Sequence, residues 1–157
     1  MMRIGHGYDV HKLKKDRRLV LGGVEISHHS GLHGHSDADV PVHALMDALL
    51  GAAAMGDIGR HFPASDEKWR DADSIEMLKT VWSMVRSCGY SLGNADITIV
   101  LESPRLFSFI EKMRASVAGA IEVDIGKISI KATTEEKMGF TGDGTGISSY
   151  AAVLLLH

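Results

Sequence analysis

Apolar and polar positions change period several times along the chain, and the changes divide it into elements. Residues 2–11, MRIGHGYDVH, read as a strand, in which Gly5 and Gly7 allow close approach by another backbone or a ligand. Residues 17–26, RRLVLGGVEI, read as a second strand, interrupted at Gly22–Gly23 by a turn or bulge. SHHSGLHGHSDADV (27–40) is small, polar and glycine-containing, and predicts a loop. Apolar residues then recur at helical spacing in VHALMDALLGAAAMG. Asp39 suits the N-cap of this helix, Pro41 falls in its first turn, and Gly56 ends it. Its alanines and Gly51 suggest close packing on a neighbour. A long polar connection, 57–73, leads to an amphipathic helix from Ser74 to Cys88 with Ile75, Leu78, Val81, Trp82 and Val85 on one stripe and Gly89 as its stop. NADITIVLES (94–103) is a strand, and Pro104 begins a third helix reaching about Ala120. KISIKATT (127–134) is another strand, EEKMGFTGDGTG a glycine-rich loop, and GISSYAAVLLLH a buried closing strand. The order strand, strand, helix, helix, strand, helix, strand, strand predicts an α/β (α+β) sandwich: a mixed sheet with helices packed on one face.

Composition narrows the class. The chain has 157 residues, 45% apolar, enough for one domain with a buried core, and residues 1–157 read as that single domain. Charged residues make up 24% and the formal net charge is -3, which points to neither a nucleic-acid nor a membrane surface. An anionic ligand is still compatible, because a few local groups can bind phosphate on an acidic protein. No apolar run approaches the roughly 18 residues of a membrane helix, and MMRIGHGYDVH lacks the apolar stretch of a signal peptide. The one cysteine, Cys88, excludes an internal disulfide and fits a reducing interior. Histidine is the unusual count: nine in all, seven of them between His6 and His43. Most must be solvated or turn residues; a few could build a site.

Asp9 and His11 stand two apart in a strand, so they share a face at a separation of about 7 Å, which a metal about 2 Å from each donor can bridge. The third ligand should be remote in sequence, and His43 in the first turns of the following helix is the candidate. Asp47, four residues on, shares its face and could orient the imidazole. An Asp-His-His set with one open position matches catalytic zinc. The plainer alternative is a polar strand face beside solvent.

Two loops suit an anion. His35 and Ser36 precede a helix N-terminus, whose free N–H groups and dipole favour negative charge; ordinary capping by Ser36, Asp37 or Asp39 explains the same residues. In KATTEEKMGFTG, Thr133 and Glu136 fit a capping box, while Thr134 could equally meet a phosphate oxygen and Glu136 a hard cation. LESPRLF (101–107) follows a strand, where open α/β sheets bind ligands.

The stretches RIGHGYDVH, GLHGHSDADV, HALMDALLGAAAMGDIGRHFP, YSLGNADITIV, SPR and KATTEEKMGFTG, in this order over nearly the whole chain, resemble the 2-C-methyl-D-erythritol 2,4-cyclodiphosphate synthases of non-mevalonate isoprenoid biosynthesis. The resemblance implies a homotrimer with active sites between adjacent subunits, in the cytoplasm or in an organelle after removal of a targeting segment. It implies a phosphorus–oxygen lyase: the 2-phosphate of 4-diphosphocytidyl-2-C-methyl-D-erythritol 2-phosphate attacks the β-phosphate, closes a ring and expels CMP. The family's zinc ligands fall on Asp9, His11 and His43, with Asp9 and His11 also beside the substrate. Its catalytic phosphate contacts fall on His35 and Thr134, with Ser36 next to the first. Glu136, flanked by Glu135, would hold Mg2+ or Mn2+ on the diphosphate. Asp57, Ile58 and Gly59, with Phe62, Pro63, Ala64, Ser65 and Asp66, would meet the methylerythritol phosphate. Leu101, Glu102, Ser103, Pro104, Arg105, Leu106 and Phe107, with Thr133 and Thr134, would form the cytidine pocket. Phe140 would sit near the substrate and the trimer axis, with Asp143 nearby.

Four positions depart from the pattern. Ala64 stands where Asp is common, Arg105 where Lys is usual, and Asp143 and Thr145 where some members carry Arg and Glu. Asp143 argues against an isoprenoid diphosphate at the trimer axis. Two other readings fit the same residues: a zinc-dependent phosphohydrolase on this scaffold, and a metal-stabilised trimer that only binds nucleotides or isoprenoid phosphates.

Overall fold

The computed structural model describes all residues, Met1–His157. The first strand, β1 (Met2–Lys15), runs four residues beyond the expected end. The interrupted second strand is a separate hairpin of β2 (Leu19–Leu21) and β3 (Val24–Ile26). Gly22 and Gly23 link them at φ of 60° and 71°, the paired positive values a tight two-residue hairpin turn demands. The expected loop 27–40 holds a short strand, β4 (Ser30–Leu32), against Leu13–Lys15 of β1. Three residues are too few to show a period, so tertiary pairing alone reveals it.

The helix α1 (Val40–Ala52) follows, then a single turn α2 (Ile58–His61), then α3 (Ser74–Ser87), after which Cys88 is exposed. Strand β5 (Ser91–Val100) leads through an irregular segment to α4 (Ile110–Ala120). Pro104 does not start that helix as expected. Leu101 and Leu106 turn into the core first, and a 3-10 turn at Phe107–Phe109 precedes Ile110; burial of two leucines outweighs the preference of proline for a first helical turn. Strand β6 (Ile128–Thr133), a single turn α5 (Gly139–Gly142) and β7 (Gly146–Leu156) complete the chain.

The main sheet has the order β4-β1-β7-β5-β6, with β5 and β6 parallel and the other neighbours antiparallel, so it is the mixed sheet expected. α1 lies on β1 and β7, and at Gly5 and Gly7 its backbone meets β1 with no side chain between. A Cβ added at Gly5 or Gly7 would come 1.9 Å from the carbonyl oxygens of Ala48 and Ala44 respectively. The glycines and alanines therefore set how deeply α1 sits. Leu45, Leu49, Leu78, Val81, Ile97, Ile99, Met113 and Val117 fill the core. The opposite face carries no helix, and over β1 and β7 it is largely apolar: Met2, Ile4, Tyr8, Val10, Tyr150 and Leu156 are exposed, Ile4 to 81%. No helix is long and apolar enough to cross a membrane.

Candidate active site

Asp9 and His11 share the β1 face that carries Gly5 and Gly7, and the deep seat of α1 brings its first turn over them. Asp9 Oδ2 lies 3.1 Å from His43 Nδ1 and 3.2 Å from His11 Nε2, and one donor atom from each residue falls within 4.8 Å of the others. His11 Nδ1 is 2.8 Å from the carbonyl of His33, which only accepts, so this nitrogen carries the proton and Nε2 turns its lone pair inward. An inward lone pair facing a carboxylate is a set of acceptors without a donor, and that arrangement fits a cation. Without a cation, ring protonation supplies the missing donors: burial raises the Asp9 carboxyl, but hydrogen bonds from the protonated His11 and His43 outweigh it and hold it at about 2. Burial likewise opposes charge on His11, yet the Asp9 carboxylate raises its pKa.

Asp47 does not orient His43. Its Oδ1 accepts from Ile58 N at 2.7 Å, tying α2 to α1, and burial pushes its carboxyl up. The residues that meet His43 Nε2 are Ser74, with Oγ at 2.9 Å, and Ser36, with Oγ at 3.2 Å. Ser74 carried no signal in the sequence: it reads as the first residue of an ordinary helix, and only the packing of α3 against α1 brings it to the ring.

The loop before α1 separates its two readings. Asp39 is the cap, accepting from Val42 N at 3.3 Å. The same carboxylate accepts from Gly22 N at 2.8 Å and Gly23 N at 2.6 Å, clamping the β2–β3 turn to the helix, and burial pushes it up to about 7. His35 is exposed, Ser36 is buried, and Ser36 Oγ accepts from Ala38 N. The loop is held by His35 O accepting from Asp71 N at 2.6 Å and by Asp37 N donating to Ala72 O at 3.2 Å.

A cavity of about 600 Å³ opens at the carboxyl ends of the parallel strands β5 and β6, the favoured ligand crevice of such sheets. Its walls include Leu101, Glu102, Pro104, Arg105, Leu106, Phe107, Thr133 and Thr134; Ser103 lies outside it and Phe107 is 94% exposed. The capping box of Thr133 and Glu136 does not form, because no helix starts there. Thr134 Oγ1 donates to Glu136 Oε1 at 3.1 Å and accepts from Glu136 N, an exposed turn at positive φ. Glu135 accepts from the Thr141 hydroxyl, and Asp143 accepts from Thr145 N at 2.8 Å. Phe140 stands half exposed over a hollow of about 240 Å³ shared with Val10 and His11.

In the 57–66 segment, Asp57 caps α2 and Asp66 caps the next 3-10 turn. Ile58 is half-buried, and Gly59, Pro63, Ala64 and Ser65 are exposed. Phe62 is buried edge-on against Trp69, with ring centroids 4.7 Å apart, so its side chain belongs to the core.

Asp9 pairs with Ser149, Ser149 with Ile99, and Ile99 with Ala132. Three strand spacings of about 4.8 Å therefore put β6, which leads into Thr134, about 14 Å from the strand bearing Asp9. Within one chain, Asp9, His11, His43 and the His35–Ser36 loop converge, while Thr134 and Glu136 stand apart with the cavity.

Comparison with known proteins agrees over the full length. The model of the YgbB family matches residues 2–156. The chain is 55% identical, over 99% of its length and 96% of the relative's, to the 2-C-methyl-D-erythritol 2,4-cyclodiphosphate synthase of Clostridioides difficile. It is also 55% identical to that of Trichlorobacter lovleyi, over 99% of both chains. Among solved structures it is similar to the bifunctional IspDF of Campylobacter jejuni, with TM-score 0.95 and 42% identity over 99% of this chain, spanning 42% of that longer chain. A CDP-bound 2C-methyl-D-erythritol-2,4-cyclodiphosphate synthase gives TM-score 0.90 and 33% identity, covering 98% of this chain and 100% of that one. By full-length sequence identity and by superposition of its sheet and helices, the chain belongs to the YgbB family of 2-C-methyl-D-erythritol 2,4-cyclodiphosphate synthases.

Proposed function

We propose that this single-domain chain acts as a 2-C-methyl-D-erythritol 2,4-cyclodiphosphate synthase, a lyase of isoprenoid biosynthesis, on 4-diphosphocytidyl-2-C-methyl-D-erythritol 2-phosphate. An oxygen of the 2-phosphate attacks the β-phosphorus, the bond from that phosphorus to the CMP oxygen breaks, and CMP leaves with the electron pair. No water is consumed, and a phosphate oxygen needs no general base. Both reacting groups are anionic, so the protein's work is positioning and charge stabilisation. Holding both ends of one molecule in place accounts for up to roughly 7–11 kcal/mol of the barrier.

Asp9, His11 and His43 would hold zinc and Glu136 would hold magnesium or manganese; when bound, these ions act as Lewis acids and offset phosphate charge. His35 and Thr134 donate to phosphate oxygens where charge accumulates, with Ser36 beside His35. The cavity at the ends of β5 and β6 takes the cytidine; two similar structures are CDP complexes. The Asp57–Gly59 and 62–66 segments meet the methylerythritol phosphate, Phe62 through its backbone. The assembly is a homotrimer. It is supported by the bare apolar sheet face, and by the lateral gap between the two halves of the site, which a neighbouring subunit closes.

The convergence of Asp9, His11 and His43 on one point carries this reading. Incubation with the diphosphocytidyl substrate and divalent ions, followed by phosphorus NMR, tests it. CMP and a cyclic diphosphate are expected. Free orthophosphate would mark a phosphohydrolase, and no turnover a binding protein.

A further inference from the structure

His43 has two ring nitrogens, and the groups around it decide which one faces Asp9 with a lone pair. Ser74 Oγ lies 2.9 Å from His43 Nε2. The Ser74 hydroxyl also donates to Asp37 Oδ1. A carboxylate only accepts, so the single hydroxyl proton of Ser74 goes to Asp37, and Ser74 offers His43 a lone pair. His43 Nε2 must then donate. Ser36 Oγ, at 3.2 Å, is the second group facing this nitrogen and already accepts from Ala38 N. With the proton on Nε2, Nδ1 turns its lone pair toward Asp9 Oδ2 and His11 Nε2. Asp37 is itself held, because Ser74 N donates to its Oδ2 at 3.1 Å. Ser74 is completely buried and His43 is 6% exposed, so water does not compete for these bonds.

We propose that Ser74, fixed by Asp37, is the positioning residue for His43, locking the ring as its Nε2–H tautomer with Nδ1 presented to the cation. The inference rests on the metal reading of Asp9, His11 and His43. It adds a chain of three residues from three separate segments: the loop before α1, α1 itself and the start of α3. The carboxylate–hydroxyl pair does here what a carboxylate alone commonly does behind a metal-bound histidine.

The test compares the parent with Ser74→Ala and Ser74→Thr, using zinc affinity by chelator competition and long-range nitrogen NMR of His43 in the zinc-loaded protein. In the parent, Nδ1 is the metal-bound nitrogen and Nε2–H is protected from exchange. Ser74→Ala is expected to weaken zinc by about 10- to 100-fold and to lose the protected Nε2–H signal while keeping the parent's circular dichroism. Ser74→Thr, which restores the hydroxyl, is expected to recover both. Zinc affinity within about twofold of the parent in Ser74→Ala, with the signal intact, overturns the proposal. So does an Nδ1–H proton in the parent, whether or not the variants fold. A parent that takes up no zinc overturns the metal reading itself and this inference with it.

Discussion

The molecule holds two polar regions that differ in how completely one chain builds them. Around Asp9, His11 and His43 the groups are partly or wholly buried, and both outer ring nitrogens have partners: the His33 carbonyl for His11, Ser74 and Ser36 for His43. Around Thr134 and Glu136, every residue from 131 to 140 is exposed, and the two side chains bond only within their own turn. Burial in the first region makes each misdirected polar atom costly, so its geometry is over-determined. Water satisfies the second region in any orientation, so one chain leaves it unfinished. The contrast teaches that the first region is built by folding, whereas the proposed function leaves the second to be completed by substrate, cation and a neighbouring copy.

The sharpest way to break this comparison is to remove one half. His43→Ala should lose zinc by elemental analysis and lower turnover by more than about a hundredfold; a zinc content equal to the parent's would refute the ligand set. Mixing unfolded His43→Ala and Thr134→Val chains and refolding them together sharpens it. If a site takes its metal half from one copy and its edge half from the next, about a quarter of the sites regain both intact halves. If both halves serve within one chain, the mixture stays as inactive as its components.

Asp39→Ala attacks the frame of the buried half. It strips the acceptor from Gly22 N, Gly23 N and Val42 N, and should cost about 2–4 kcal/mol in urea denaturation. A loss below about 0.5 kcal/mol would mean that the clamp does not hold α1 in place. Glu136→Gln acts on the exposed half. Zinc should stay at the parent's level while the magnesium concentration for half-maximal turnover rises by about tenfold or more; a parallel loss of zinc would show that the two halves are not independent.

The smallest effect lies away from both. The Lys131 ammonium beside Asp96 holds that carboxyl below the usual carboxylate range. A lowered folded pKa contributes stability above the ordinary carboxylate range and loses it as pH falls through the folded value. Both side chains are about half exposed, 54% and 45%, so solvent screens the pair. Asp96→Asn should cost less than about 1 kcal/mol at neutral pH, and less still near pH 3. A larger loss would mark this edge of the sheet as tightly built, against the contrast drawn above.

Legibility in the sequence followed the range of the interaction. The Asp-x-His pair was readable because strand geometry alone puts Asp9 and His11 on one face. Gly5 and Gly7 announced a close neighbour but not which one. Asp47 misled, because i to i+4 spacing places it near His43 without saying that Ile58 N reaches it first. Thr133 and Glu136 imitated a capping box that no helix follows. Asp37 read only as a possible cap, and Ser74 and β4 were silent, since each acquires its partner from an element far away along the chain.

The sequence by itself determined the local order of strands and helices, the seats for close packing, and the three candidate groups of the proposed metal centre, two of them by strand geometry. These depend on backbone periods and on side-chain chemistry within a few residues. Only the tertiary structure decided that α1 seats against β1 deeply enough to bring His43 to Asp9, and that α3 delivers Ser74 behind it. Only the sheet order set β6, which leads to Thr134, about 14 Å from β1. Such distances follow from how whole elements pack, a sum of many weak contacts that no short stretch of residues encodes.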